Sequence, residues 1–292
     1  MPQPAQPAPD GEPFEPLSTL LVGEPPDPTL ALPASQLCTQ SQFNEPTYAY
    51  WCAELKEPPR LLRKQWEFVY ILQVLALHDM LAPGRRGLGF GCGKEPLASV
   101  LAKRGCSVVA TDLDAKSAAG LGWVQTDQHA SSLRDLNDRG ICEPAEFDKR
   151  VVFRVENMNA ISDDLRGFDF VWSSCAFEHL GSLSRGLRFV TNAMQCLRPG
   201  GLAVHTTEFN LTSNFVTFED PSLAVFRKAD IEELAQTLTR AGHTVAKLNF
   251  NPGSGPLDRH YDLPPYKDEP SLRLKLDRFV YTSIGLIIRH AT

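Results

Sequence analysis

The sequence predicts an α/β fold built on a doubly wound, mainly parallel sheet. Three observations carry this prediction: short apolar runs typical of buried strands alternate with helical segments, glycine or proline closes the helical segments, and a glycine-rich turn follows the first strand. Because strands joined by helical crossovers run parallel within one sheet, this alternation favours a parallel sheet with helices on both faces.

The strands and helices follow one another in a regular order. A strand at 86–91 leads into a helix at 96–105, and a second strand spans 106–114. Further strands are expected at "RVVFRVEN", "GFDFVWSS", "GGLAVHTTEF", "HTVAKLNF" and "RFVYTSIGLIIRH". The segments "LSRGLRFVTNAMQCLRPGG" and "ADIEELAQTLTRAG" predict helices, and Pro199 with Gly200 is expected to stop the first of them.

Composition divides the chain into three parts. Residues 1–35 are rich in proline and have few regularly spaced apolar groups, so most of this stretch is predicted to be disordered. Residues 36–83 contain aromatic residues at helical spacing and predict a helical cap or lid. Residues 84–292 contain the alternating strands and helices and form the main domain.

Charge and cysteine content exclude several classes of protein. The net charge is −6 and no stretch concentrates Lys and Arg, so no nucleic-acid partner is expected. No apolar run approaches the roughly 20 residues that span a bilayer, and no secretory signal is evident, so no membrane partner is expected. The seven scattered cysteines include no CxxC pair and are interpreted as reduced thiols of a cytoplasmic protein.

The turn "GLGFGCGKEP" is the first candidate site. Gly89, Gly91 and Gly93 lie where a glycine-rich turn lets a ligand approach the backbone closely. Asp112 ends the second strand 21 residues after Gly91, near the spacing at which an acid binds ribose hydroxyls. Together these features indicate an adenosine-bearing cofactor. A dinucleotide is disfavoured, because the sixth position of the GxGxxG fingerprint is Pro96 in one register.

Four segments together resemble a known family. "GLGFGCG", "VVATDLD", "GFDFVWSSCAFEHL" and "CLRPGGLAVHTTE" resemble the ordered motifs of class I S-adenosylmethionine-dependent methyltransferases, over about residues 84–290. The resemblance implies a Rossmann-like, seven-stranded sheet whose last strand is antiparallel, with S-adenosylmethionine as the cofactor.

The resemblance also implies roles for individual residues. Gly91 and Gly93 would lie under the methionine part of the cofactor, and Asp112 would bind the ribose. Leu113 would lie against the adenine ring. Asn157 stands where the family usually has an aspartate that accepts a hydrogen bond from the adenine amino group, and an asparagine carbonyl can still accept one.

Other positions either lie next to these cofactor-binding residues or differ from the residues usual in the family. Ser173 and Ser174, at the end of the fourth strand, would approach the methionine end or the acceptor. Gly89 occupies the place of a usual acid, and Glu95 that of the last glycine. Glu95 either supplies the carboxylate that Gly89 lacks, facing the cofactor's amino group, or is an acid favoured by the dipole of the helix it precedes.

Glu178 and His179 are the candidate catalytic residues. A sulfonium methyl group is already activated, so the protein mainly holds the acceptor in line and manages its proton. Histidine suits that task because its pKa lies near neutrality. The alternative is that the pair only braces its loop.

Other polar clusters are candidates for metal binding or for cofactor contact. His205 and Glu208 form one such cluster, and Asp258, His260 and Asp262 form another. Together these residues could bind a divalent metal. Charged loops are usually only solvated, however, so no metal is expected. Four residues after the second strand could cover the cofactor: Trp123, Gln125, Gln128 and His129.

These observations predict an S-adenosylmethionine-dependent methyltransferase acting on a small-molecule acceptor. A hydroxyl of a sugar or secondary metabolite is the preferred acceptor. Two alternatives remain at this point: a non-catalytic binding module that retains the methyltransferase fold, and an NAD(P)-dependent oxidoreductase.

Overall fold

The structure is a computed structural model, and it describes residues 25–113, 133–267 and 269–292. The helices are α1 (Pro46–Glu54), α2 (Arg63–Leu77), α3 (Leu97–Lys103), α4 (Pro144–Arg150), α5 (Leu183–Ala193) and α6 (Lys228–Arg240). The strands are β1 (Ser35–Gln36), β2 (Arg86–Phe90), β3 (Ser107–Asp112), β4 (Val151–Val155), β5 (Phe168–Ser174), β6 (Leu197–Asn210), β7 (Thr244–Val245), β8 (Leu248–Asn249), β9 (Leu274–Leu276) and β10 (Phe279–Arg289).

The main sheet has the predicted mixed topology. Its strand order is β4-β3-β2-β5-β6-β10-β7, with β9 paired to β10 outside this path. The neighbours from β4 to β6 are parallel, whereas β10 runs antiparallel to both β6 and β7. The prediction of a doubly wound, mainly parallel sheet with an antiparallel last strand is therefore confirmed.

Helices cover both faces of this sheet, and a large hydrophobic cluster lies on each face. On one face α1, α2 and α3 pack against inward side chains such as Phe170 and Val204. On the other face α5 and α6 pack against side chains such as Val171 and Ala203. Successive residues of a strand point to opposite faces, so β5 and β6 each supply both clusters.

Helix α2 is a core helix of the domain. Trp66 and Tyr70 are fully buried, and α2 contacts β5, β6 and β10. Gly285 makes this close approach possible, because a Cβ at that position would lie 2.1 Å from the Tyr70 ring. The predicted cap over 36–83 thus includes a helix that covers a face of the sheet.

The packed part of the chain begins before the predicted boundary at residue 35. Leu30 is fully buried, and Glu45 accepts hydrogen bonds from the backbone nitrogens of Leu30 and Ala31. β1 pairs in parallel with β8 in a separate small sheet. Residues 25–35 therefore depart from the predicted disorder, because these buried and hydrogen-bonded contacts hold them to the domain.

Replacing Leu30 tests this attachment. Leu30→Ala is expected to lower the free energy of unfolding by about 2 kcal/mol, the low end for a buried leucine because an N-terminal segment can relax around the change. Leu32→Ala is the matched control, since Leu32 is 79% exposed. Thermal unfolding of both variants checks the prediction; equal melting temperatures would show that burial of the Leu30 side chain contributes nothing to stability.

Two elements differ from the sequence prediction. Helix α5 ends at Ala193, and β6 already includes the "LRPGG" segment, because the residue before Pro199 is disfavoured in a helix and Gly200 has φ +72°. The predicted strand at 243–250 is two short strands, β7 and β8, which belong to different sheets.

Among the described residues, no helix combines the length and apolarity needed to cross a membrane.

Candidate active site

A cavity opens at the carboxyl edge of the parallel strands. Its volume is about 920 Å³, and the ends of β2, β3, β4 and β5 all contribute to its wall. The carboxyl ends of parallel strands meet at one edge, which is where open α/β sheets bind ligands. Helix α2 and the segment before it also contribute to the wall, through Glu57, Lys64 and Phe68.

The glycine-rich loop forms a backbone surface against this cavity. Gly91 and Gly93 have φ values of +60° and +49°, which favour glycine. A Cβ at Gly91 would lie 2.8 Å from the Cβ of Ala176 and 3.3 Å from the Met158 sulfur. Because any side chain here would crowd the cavity wall, glycine keeps that wall open to a ligand.

Asp112 connects this loop to the end of β3. Its Oδ2 accepts a hydrogen bond from the Gly93 nitrogen at 3.0 Å, and its Oδ1 accepts one from the Leu113 nitrogen at 2.8 Å. A carboxylate has about four acceptor positions, which is more than these two hydrogen bonds use. Asp112 and Leu113 both line the cavity, together with Asn157 at the end of β4.

Glu95 and Lys64 form a charged pair in the cavity wall. Lys64 Nζ lies 3.6 Å from Glu95 Oε1 and donates to the Ser174 carbonyl at 3.0 Å. Glu95 is buried, and its Oε2 has no hydrogen-bond partner among the described residues. Burial raises the pKa of Glu95 to about 8, against the opposing effect of Lys64. An unsatisfied buried carboxylate is costly and therefore marks a place for a donor group.

His179 lines the cavity from the turn after β5. Its Nδ1 lies 2.6 Å from the Ser222 carbonyl, and because a carbonyl only accepts, this nitrogen carries the proton in the neutral ring. The unprotonated nitrogen is then Nε2. Burial lowers the pKa of His179, which favours that neutral form.

A sequence comparison identifies the protein family. A model of the methyltransferase domain family matches residues 63–248, which is more than half of the chain. The chain belongs to this methyltransferase family. The predicted class I S-adenosylmethionine-dependent methyltransferase is therefore confirmed, and the family match begins at Arg63, the first residue of α2, so it includes this core helix.

Two solved methyltransferase structures are similar to this chain at low sequence identity. One is provisionally described as a sarcosine dimethylglycine methyltransferase, from Galdieria sulphuraria, with 12% identity and a TM-score of 0.50 over 85% of this chain and 99% of that chain. Another is the magnesium protoporphyrin IX methyltransferase of Synechocystis PCC 6803 with bound S-adenosylhomocysteine, at 14% identity and a TM-score of 0.46 over 85% and 96% of the two chains. A comparison with curated proteins gave no match.

The cavity of this methyltransferase fits the parts of S-adenosylmethionine. The cofactor carries an ammonium and a carboxylate at its methionine end, and Glu95 and Lys64 offer the complementary charges side by side. The glycine-rich loop leaves room for a ligand against its backbone, and Asp112 presents acceptor oxygens nearby. Family membership thus removes the basis for the NAD(P)-dependent alternative.

Three predicted site residues of the methyltransferase do not line this cavity. Gly89 lies within β2, where a Cβ would be 2.3 Å from the Trp172 ring, so this glycine serves packing. Ser173 points to the face opposite Ser174 and hydrogen-bonds His205 at 2.8 Å. Glu178 is fully buried and accepts from Thr207 Oγ1 at 3.0 Å, below the cavity wall.

Among the described residues, His205, Asp258, His260 and Asp262 belong to no group of potential metal ligands. His205 is buried beside Phe177 and Phe189, and burial lowers its pKa to about 3. Asp258 accepts backbone hydrogen bonds from Gln40 and Gly255, and His260 is exposed. Trp123, Gln125, Gln128 and His129 lie outside the described residues.

Sequence reasoning missed the charged residues of α2. Arg63, Lys64 and Glu67 stand close together on a helix whose other residues are mostly apolar, and that contrast was the available signal. Lys64 reaches the cavity, whereas Arg63 and Glu67 lie against β6 and the end of β5.

Proposed function

We propose that this methyltransferase binds S-adenosylmethionine in the 920 Å³ cavity and transfers its methyl group to a small-molecule acceptor. The observation that carries the proposal is the unpartnered, buried Glu95 oxygen beside Lys64 in a cavity floored by a glycine-rich loop. When bound, the cofactor supplies an activated methyl group on a sulfonium centre.

The cofactor is assigned to the loop side of the cavity. Glu95 would hold the ammonium and Lys64 the carboxylate of the methionine end, with Gly91 and Gly93 beneath it. Asp112 would accept the ribose hydroxyls while its other hydrogen bonds hold the loop.

The adenine end and the neighbouring wall complete the assignment. Leu113 and Asn157 would flank the adenine, since both line the cavity at the ends of their strands. Asn157 Oδ1 accepts from the Asn159 nitrogen at 2.9 Å and has a second lone pair for the adenine amino group. Ser174 lies at the methionine end, where it contacts Lys64.

The acceptor is assigned to the side of the cavity beside His179. A hydroxyl is a poor nucleophile until a base begins to remove its proton, and His179 Nε2 is the nitrogen that would accept it. We therefore favour a hydroxyl-bearing acceptor, such as a sugar or secondary metabolite, over an amine. Glu178 is a positioning residue in this scheme, because it lies below the wall that holds His179.

A cytoplasmic location stays a prediction from the sequence.

Calorimetric titration with S-adenosylhomocysteine tests the proposal. The wild-type chain is expected to bind it with micromolar or better affinity and to prefer it to NADH. Asp112→Ala should weaken binding by about ten- to a hundredfold, because a charge-assisted hydrogen bond contributes roughly 1.5 to 3 kcal/mol.

Asp163→Ala is the control, since the Asp163 side chain is fully exposed and lies outside the cavity wall. Unchanged affinity in Asp112→Ala would contradict the assigned ribose contact. Tighter binding of NADH would contradict the assigned cofactor site. Binding of S-adenosylhomocysteine without turnover on any of a panel of hydroxyl and amine acceptors would favour the non-catalytic alternative.

A further inference from the structure

A buried group of acids lies beneath the acceptor side of the cavity. Cys175, Glu178 and Glu208 each direct one potential ligand atom into it, and these atoms lie within 4.8 Å of one another. Glu178 and Glu208 are buried, at 0% and 5% exposure, while Cys175 also lines the cavity. The three residues come from the end of β5, the turn after it and β6.

Two carboxylate oxygens in this group have no partner among the described residues. Glu178 Oε2 accepts from Thr207, and Glu208 Oε1 is 2.7 Å from Arg63 Nη1. The second oxygen of each, Glu178 Oε1 and Glu208 Oε2, is buried and makes no hydrogen bond. A buried polar oxygen without a partner costs about 1 to 3 kcal/mol, so both oxygens favour a positively charged or hydrogen-bond-donating ligand.

The group contains more carboxyl groups than positively charged side chains. Four buried carboxylates adjoin one another here: Glu67, Glu95, Glu178 and Glu208. In the described part of the chain, the cations that pair with them are Arg63 and Lys64. The carboxyl groups thus outnumber the cations by two, and one divalent ion would supply two positive charges.

Cys175 places its sulfur in this group through an unfavourable backbone conformation. Its φ is +44°, a conformation that side-chain-bearing residues rarely adopt and that is often retained at functional sites. The thiol donates to Glu67 Oε1 at 3.0 Å, so the sulfur points into the acidic group. Thiolate and carboxylate ligands together suit a borderline ion such as Zn²⁺ better than Mg²⁺ or Ca²⁺.

We propose that Cys175, Glu178 and Glu208 form a binding site for one divalent transition-metal ion of the Zn²⁺ type. Ligand atoms around tetrahedral zinc lie roughly 3.3 to 3.7 Å apart, given the usual zinc–ligand distances, so the three groups need to close by about 1 Å. Binding forms the metal–sulfur bond and releases the Cys175 proton to solvent. Three protein ligands leave a fourth position for water or an acceptor oxygen.

The test uses the full-length, untagged chain after removal of bound metal with a chelator. Titration with Zn²⁺ should show one tight site per chain in the wild type. Cys175→Ser and Glu178→Gln are each expected to weaken it by more than about 100-fold, because losing a ligand costs more than the 10- to 100-fold effect of losing a ligand's partner. Cys106→Ser is the control, a buried thiol outside the group.

Cobalt gives a second, spectroscopic measurement. Co²⁺ bound to the wild-type chain should show a thiolate-to-metal charge-transfer band, and this band should be absent in Cys175→Ser and present in Cys106→Ser. Absence of a tight Zn²⁺ site, a cobalt spectrum without the thiolate band, or equal Zn²⁺ affinity in Cys175→Ser would each overturn the proposal.

Discussion

His179→Ala is expected to lower the rate of methyl transfer by about 10² to 10⁴, the usual contribution of general base catalysis. The neutral ring carries its proton on Nδ1, which donates to the Ser222 carbonyl, so Nε2 is the nitrogen that accepts the proton of the acceptor hydroxyl. The affinity for S-adenosylhomocysteine should change less than threefold, because the cofactor is assigned to the opposite side of the cavity. Single-turnover rates and calorimetric titration of the same preparation separate the two effects.

A bracing role for His179 predicts a different result. The ring also holds the segment around Ser222, so its loss could act through structure alone. Added imidazole distinguishes the two roles, because a small base entering the cavity restores proton removal but does not rebuild the brace. His260→Ala serves as the control for the substitution, since His260 is exposed. No rescue, or a loss of less than about threefold, would remove His179 from the proposed mechanism.

Glu95→Gln is expected to weaken S-adenosylhomocysteine binding by about 30-fold or more, since losing one partner of a buried charge pair costs roughly 2 to 5 kcal/mol. The substitution keeps the size of the side chain and removes the charge opposite the ligand's ammonium. 5′-Methylthioadenosine is the matched ligand, because it lacks the amino-acid end and should bind to both proteins within threefold. Equal losses for the two ligands would show that Glu95 acts on the loop and not on the methionine end.

The pH dependence of binding follows from the raised pKa of Glu95. Burial places that pKa at about 8, so the carboxyl group is largely protonated at pH 6 and ionised above pH 8. Since the ionised form attracts the ligand's ammonium, affinity for S-adenosylhomocysteine should rise from pH 6 to pH 8, with a proton released on binding. Glu95→Gln should remove this rise. An unchanged slope in the variant would assign the titration to another group.

Local sequence was sufficient for the main domain. Alternating apolar runs correctly predicted the sheet, and the glycines at 91 and 93 with the acid at 112 predicted a site at its carboxyl edge, where the cavity lies. These features are short-range, because side-chain periodicity and backbone φ preferences depend on a few neighbouring residues. The N-terminal boundary was less accurate, since a proline-rich segment is held to the domain by the buried Leu30 and by Glu45, contacts that composition does not report.

Only the tertiary structure decided which residues face the cavity. The sequence by itself determined the fold family, the glycine-rich loop and Asp112. It could not separate Ser173 from Ser174, which point to opposite faces of β5. It also could not bring Lys64 to Glu95, or Arg63 to Glu208, because these pairs join α2 to distant loops and strands. Such contacts depend on how α2 packs against the sheet, and that packing follows from the whole core and not from any local pattern.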